Sequence, residues 1–215
     1  MSAIPPSIFG QLDEVRAKTL FSDFQRRAYA KNSFVINAGD NSDSFYLIQS
    51  GKIKIVILDE EGKEVILSML GPGDHFGEFS LIDGQPRSAS AVTMEESALL
   101  IVSKDQFREC LAENPDIAER VMLSLTQRLR DADRKIEGLA LHDVYSRLVR
   151  TLSELSTEQD GKHILPQRLT HQDLANMIGA SREMITRILR DLATGGYISV
   201  ENREITLLKK LPSAW

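Results

Sequence analysis

A carboxylate, a guanidinium and two hydroxyls stand close together near the middle of this chain, where Phe76-Gly77-Glu78-Phe79-Ser80 is followed by Arg87-Ser88. These are the groups that a cyclic phosphate joined to a ribose needs. A phosphodiester taken out of water requires a cation and several donors, because a buried anion left unpaired is very costly. Arg87 supplies a two-pronged donor and Ser88 a hydroxyl; backbone N–H groups beside Gly77, and on a short helix starting near Phe79, add more. Glu78 is the acceptor that a ribose 2′-hydroxyl seeks. A Glu and an Arg at such a spacing are most often a surface ion pair. The flanking Gly71-Pro72-Gly73-Asp74, Leu81-Ile82 and Pro86 argue for an enclosed turn instead.

A second set of residues has a different chemistry. Thr170 is a good helix N-cap with Gln172 and Asp173 in the turn after it, and Leu174, Ala175 and Ile178 recur on one helical face. Gly179 permits the left-handed backbone that ends such a helix, and Ser181 caps another predicted over 182–192. With Ile185, Ile188, Leu189 and Leu192 facing inward, that second helix turns Arg182, Glu183, Thr186, Arg187 and Arg190 outward. Arginine can donate two parallel hydrogen bonds to guanine O6 and N7, and a carboxylate can accept from cytosine N4. Two short helices joined by a glycine turn, with these groups on the second, predict a DNA-reading helix-turn-helix. Tyr197-Ile198-Ser199-Val200 and Glu204-Ile205-Thr206-Leu207-Leu208 predict the two strands of a wing.

The rest of the chain must position these groups. Residues 12 to 28 mix apolar and charged positions at helical spacing and predict one or two short helices. From Ala30 to Val102 short runs such as Phe45-Tyr46-Leu47-Ile48 and Lys52-Ile53-Lys54-Ile55-Val56-Ile57 alternate with turn signals, which predicts a β-barrel or jelly roll. A long helical stretch from Lys104 to Leu139 follows, broken near Asn114-Pro115. Its stripe of Ile117, Val121, Leu125, Leu129, Ala132, Ile136 and Leu139 is narrow and suits a partner helix, predicting a two-fold dimer seam. Gly138 to Asp143 predicts a hinge, 144–155 a helix, and 156–162 a polar loop.

Composition narrows the function classes. The 215 residues suffice for two modest domains with real cores. The net charge of −5 is unevenly spread, since the segment from Asp143 onward carries 10 Lys plus Arg against 9 Asp plus Glu. A few arginines on a near-neutral domain can still read DNA. One cysteine, Cys110, excludes an intrachain disulfide and a four-cysteine cluster, and the four histidines lack metal-ligand spacing. His75 alone could bind a haem, but the surrounding residues favour a nucleotide. With neither a secretory leader nor a long apolar stretch in the sequence, a cytoplasmic location without membrane contact is expected. No Ser/His/Asp set or Walker-type loop is present, so an enzyme is not expected.

From about residue 12 to 208 the chain resembles bacterial transcription regulators of the catabolite activator (CRP/FNR) superfamily. The resemblance rests on Phe76-Gly77-Glu78-Phe79-Ser80-Leu81-Ile82 with Pro86-Arg87-Ser88-Ala89, and on Gly179-Ala180-Ser181-Arg182-Glu183-Met184-Ile185-Thr186-Arg187. It implies an α+β fold: a cyclic-nucleotide-binding β jelly roll with short N-terminal helices (1–104), a central dimerisation helix and hinge (105–140) and a winged helix-turn-helix (141–215). It also implies a homodimer controlled by a cyclic nucleotide, most simply cAMP, and bound to palindromic double-stranded DNA with half-sites similar to TGTGA. RNA polymerase is an implied partner, met around residues 158–163. The implied ligand set is Phe76, Gly77, Glu78, Phe79, Ser80, Arg87 and Ser88, with Arg128, Ala132 and Asp133 from the central helix. Thr170, Gln172, Ser181, Arg182, Glu183, Thr186 and Arg187 form the implied DNA set. Cyclic-AMP-responsive members often carry a Thr-Ser pair where Ala132 and Asp133 stand. That departure leaves cyclic GMP, a cyclic dinucleotide such as c-di-GMP, or activity without ligand open, as is a regulatory subunit acting on a protein partner.

Overall fold

The run Phe45-Tyr46-Leu47-Ile48 is apolar at every position because its strand is covered on both faces. The structure, a computed structural model, describes residues 19–21, 23–41, 43–159, 162–165, 169–201 and 204–212. Eight strands make two antiparallel sheets: β1 (Gln25–Tyr29), β2 (Phe34–Ile36), β3 (Ser44–Ser50), β4 (Ile53–Leu58), β5 (Glu64–Leu70), β6 (His75–Phe76), β7 (Ser90–Thr93) and β8 (Ser97–Ser103). Their orders are β1-β8-β3-β6 and β2-β7-β4-β5. Because side chains alternate across a strand, β3 sends Tyr46 and Ile48 into a core with Ile36, Ile53, Phe76, Ala91 and Leu99. Phe45 and Leu47 enter the other core, with Phe21, Leu81, Leu100, Val102 and Phe107.

Helices α1 (Glu78–Asp83), α2 (Lys104–Glu113) and α3 (Pro115–Leu141) follow the strands around this barrel. The break falls at Asn114, where the expected proline opens α3 in its first turn. Cys110 is buried on α2, and burial, with Asp116 and Glu113 adding to it, pushes its thiol up to about 11. It is a core residue and not a reactive one. Among the described residues no helix is long and apolar enough to cross a membrane.

The chain divides into two compact units, and the boundary falls inside α3 between Arg130 and Asp131. The carboxyl-terminal unit continues with α4 (Val144–Leu155), β9 (Thr157–Gln159), β10 (Lys162–Ile164), α5 (His171–Ile178), α6 (Arg182–Thr194), β11 (Ile198–Glu201) and β12 (Glu204–Leu207). Its strands pair in the order β11-β12-β10-β9. Leu148, Leu152, Leu174, Ala175, Ile178, Ile185, Leu189 and Leu192 are buried in it.

Three local expectations are corrected. Residues 25–29 form β1 and not helix; Thr19 and Leu20 are helical, and residues 12–18 lie outside the described residues. The stretch read as a polar loop contains the β9–β10 hairpin, with Thr157 paired to Ile164; Asp160 and Gly161 lie outside the described residues. Gly138 is helical, its carbonyl accepting from His142 N at 3.0 Å, so α3 runs past it. The chain leaves the helix at His142-Asp143, where Asp143 caps α4 through Ser146 N.

Candidate functional site

Arg87 is the centre of the barrel site. It is only 4% exposed, and its backbone is pinned by the turn at Gly39-Asp40: Gly39 N donates to its carbonyl at 2.8 Å, and its own N donates to Asp40 O at 2.9 Å. Nη1 donates to Gly77 O at 2.5 Å and to Ser80 Oγ at 2.7 Å, while Nη2 donates to Ser44 O at 2.5 Å. Burial pulls the guanidinium below its ordinary value, opposed by Tyr46 and Glu78. Its carbon lies 6.0 Å from the centre of the Tyr46 ring, which stacks on Phe76 at 4.9 Å.

Gly77 is required twice over. Its φ of +87° lies in the left-handed region, and a Cβ there would come within 2.8 Å of Arg87 Nη1. As the N-cap of α1 it brings no side-chain acceptor to the helix start. Ser80 is buried; Phe79, at 44%, and Ser88 are exposed.

Glu78 is 1% exposed, and its partner is not Arg87. Arg128, on α3, donates Nη1 to Glu78 Oε1 at 2.6 Å and Nη2 to His75 O at 2.6 Å. The surface Glu78–Arg87 pair that the sequence argued against is not formed; the carboxylate is held by a bond that reaches across fifty residues. Burial raises the Glu78 carboxyl above its usual range, with Arg128 pulling the other way. Its Oε2 has no hydrogen-bond partner among the described residues, nor has His75 Nε2, 4.0 Å away. His75 is 3% exposed, and burial, reinforced by Arg128, holds it well below its ordinary value. Two free polar atoms at that separation can share one oxygen, since each accepts a partner at about 2.8 Å.

His75 and Tyr46 belong to this site and escaped the sequence reading as members of it. The signal for His75 was a polar ring in an apolar strand beside the Gly-Glu pair. Ala132 and Asp133 are exposed on α3 one turn beyond Arg128, in the part of the helix that belongs to the carboxyl-terminal unit. Among the described residues no cluster of three or more His, Cys, Asp or Glu side chains is arranged to hold a metal ion.

In the carboxyl-terminal unit the local signals translate directly into geometry. Thr170 Oγ1 accepts from Asp173 N at 3.0 Å, and Asp173 Oδ2 accepts from Thr170 N at 2.9 Å, a reciprocal cap at the start of α5. Gly179, at φ +65°, ends α5, and Ser181 Oγ accepts from Met184 N at 3.2 Å to start α6. Arg182, Glu183, Arg187 and Arg190 are exposed on α6, Thr186 is half-buried, and Gln172 is exposed on α5. The face so formed is polar, cationic and rigidly capped, which suits a major groove.

Fold and sites together define a β-barrel with a buried polar site, followed along the chain by a helix-turn-helix. Residues 26–114 match the cyclic nucleotide-binding domain, and residues 146–211 the Crp-like helix-turn-helix domain. The chain is 31% identical over 204 residues to the CRP-like cAMP-activated global transcriptional regulator of Mycobacterium tuberculosis, covering 93% of this chain and 91% of that one. It is 34% identical over 195 residues to the cyclic AMP receptor protein of Thermus thermophilus, covering 88% and 89% respectively. Among solved structures it is similar to the c-di-GMP responsive global regulator CLP of Xanthomonas campestris, with 29% identity, a TM-score of 0.78 and coverage of 92% and 100%. The chain belongs to the CRP/FNR family of transcription regulators. It is a DNA-binding regulator with a cyclic nucleotide-binding domain, and its relatives are not enzymes.

Proposed function

We propose that the protein is a homodimer whose DNA-binding arrangement is favoured when a cyclic nucleotide, cAMP first, enters the barrel. The observation that carries this is the buried pair of opposite groups, Arg87 for the phosphate and Glu78 for the ribose, each already desolvated and oriented. Ser80 and Ser88 add hydroxyls, while Phe76, Gly77 and Phe79 shape the turn. The bonds from Arg87 to Gly77 O and Ser44 O would be exchanged for phosphate oxygens. Arg128 sits on Glu78 and on α3, so capture of Glu78 by a ribose is felt by the helix that continues through Ala132 and Asp133 to Leu141. To act as an effector, the nucleotide must bind the DNA-competent arrangement more tightly than the other.

Of the stripe read as a seam, Ile117 and Val121 are instead buried in the barrel core, with Leu125 packed against it, because the start of α3 lies on the barrel. The dimer reading is supported by its remaining members Leu129, Ile136 and Leu139, exposed on α3 together with Met122 and Leu123. Two copies would place their α6 helices about 34 Å apart, one turn of B-DNA, on a palindrome with half-sites similar to TGTGA. Arg182, Glu183 and Arg187 are assigned to base edges, and Thr170, Gln172, Ser181 and Thr186 to the surrounding backbone and caps. RNA polymerase is the assigned partner in the cytoplasm.

A second reading, c-di-GMP in place of cAMP, is supported by Ala132-Asp133 and by the similarity to a c-di-GMP responsive regulator. Calorimetric titration with cAMP, cyclic GMP and c-di-GMP separates the two. Heat from cAMP that disappears in Arg87→Ala is the expected result; heat from c-di-GMP alone selects the second reading, and no heat from any of them removes nucleotide control.

A further inference from the structure

His171 lies in the first turn of α5, beside α6 and the wing. Its Nδ1 is 2.8 Å from Thr186 Oγ1 on α6. That hydroxyl also lies 2.9 Å from the carbonyl of Arg182, which can only accept. A hydroxyl has one proton, so Thr186 donates to Arg182 O and must accept from His171. The bond therefore fixes the tautomer: Nδ1 carries the hydrogen, and in the neutral ring Nε2 is a lone pair. Among the described residues Nε2 has no hydrogen-bond partner. The ring lines a cleft of about 460 Å³ together with Thr170, Gln172, Arg182, Val200 and Ile205.

We propose that His171 is a proton-dependent contact to the DNA backbone and makes DNA affinity rise as pH falls. This rests on the assignment of the α6 face to DNA. A phosphate oxygen is an anion that only accepts, so a neutral Nε2 repels it and a protonated one donates a charge-assisted hydrogen bond. Thr186 keeps Nδ1–H engaged in both states, so protonation adds the second donor without turning the ring. The charged groups on the surrounding elements are Asp173 on α5, Arg182, Glu183, Arg187, Arg190 and Asp191 on α6, and Glu201 and Glu204 on the wing. Asp173 is engaged with Thr170, and Glu201 accepts from Ser199 Oγ at 3.2 Å. Imidazole is the side-chain type that can present at one atom either a lone pair or, once protonated, a donor.

The test is fluorescence anisotropy of the full-length protein on two duplexes of equal length, one with two TGTGA half-sites and one scrambled, at pH 6 and pH 8 and constant salt. Wild-type protein is expected to bind both roughly tenfold tighter at pH 6, the scale of a charged hydrogen bond, because a phosphate contact carries no sequence information. His171→Arg should be tight at both pH values, and His171→Gln weak at both. The other histidines are common to all three proteins, so the difference isolates this ring. A wild-type profile parallel to that of His171→Gln overturns the inference. Weaker wild-type binding at pH 6, restored by neither variant, also overturns it and assigns Nε2 as an acceptor from a base amine. If Arg182→Ala leaves binding unchanged as well, the assignment of the α6 face is what has failed.

Discussion

The barrel and the helix-turn-helix unit use the same side chains, arginine and glutamate, under opposite conditions. In the barrel, Arg87 and Glu78 are buried and bonded to the chain itself. On α6, Arg182, Glu183 and Arg187 stand in water, and none of the three takes part in an ion pair among the described residues. A small ligand must be enclosed to be held, so its site has to be desolvated and hydrogen-bonded before the ligand arrives. DNA brings a surface as large as the protein's own, and desolvation waits until the two meet. Barrel substitutions should therefore alter stability and ligand affinity together, and α6 substitutions affinity alone.

The sharpest break of this contrast comes from comparing two arginines. Arg87→Ala leaves Ser44 O and Ser80 Oγ without the guanidinium donor and Gly77 O with only the Ser80 hydroxyl at 3.5 Å, and unsatisfied buried groups cost about 1–3 kcal/mol each. With partial relaxation, urea denaturation should show a loss of about 3 kcal/mol, along with abolished nucleotide binding. Arg182→Ala should change the same denaturation curve by less than about 0.5 kcal/mol, as exposed substitutions do. Its effect belongs to DNA, at about 1–3 kcal/mol on a specific duplex measured by anisotropy. Equal stability losses in the two variants would end the contrast.

Glu78→Gln divides the barrel's two burdens. Burial holds the Glu78 carboxyl above its ordinary range in spite of Arg128. The folded protein thus binds that proton more readily than the unfolded chain. Stability from this group is present below the ordinary glutamate value and is lost as pH rises through the raised folded one. Glutamine removes the loss. Arg128 is then left without a carboxylate, but at 28% exposure it can turn to water. The variant should be more stable than wild type at pH 8, with the difference closing toward pH 4, and should bind cAMP more weakly. Thermal unfolding across that range reads the sign directly.

What was legible in the sequence tracks how local each signal is. Thr170, Gly179 and Ser181 announce helix ends through bonds within three or four residues, and each sits where its type requires. The alternation of β3 and the Pro115 break are local in the same way. The Arg128–Glu78 bond depends on where α3 crosses the barrel, and no spacing in the sequence carries that. Strand β1 was hidden for another reason: Gln25-Arg26-Arg27-Ala28-Tyr29 is mostly exposed and, among the described residues, an edge strand that pairs only with β8. Its charges protect an open edge and remove the apolar alternation by which strands are recognised. The β9–β10 hairpin is polar and exposed and was read as loop on the same account.

The smallest effect comes from a group whose value is purely local. Thr170→Ala removes the hydroxyl that accepts from Asp173 N, while Asp173 can still accept from the backbone N–H of residue 170. Half of the reciprocal cap survives, so the cost should fall at the low end for N-cap substitutions, about 0.5–1 kcal/mol in urea denaturation. Because α5 supports α6, the start of the α5 helix should fray first, and hydrogen exchange should quicken at residues 171–174 before it does elsewhere in the unit. Nucleotide titration should be unchanged, since none of the lost bonds reaches the barrel unit. A Thr170→Ala protein as damaged as Arg87→Ala would mean that an exposed cap is as deeply coupled as a buried guanidinium, and that the two regions do not divide their energetics in this way.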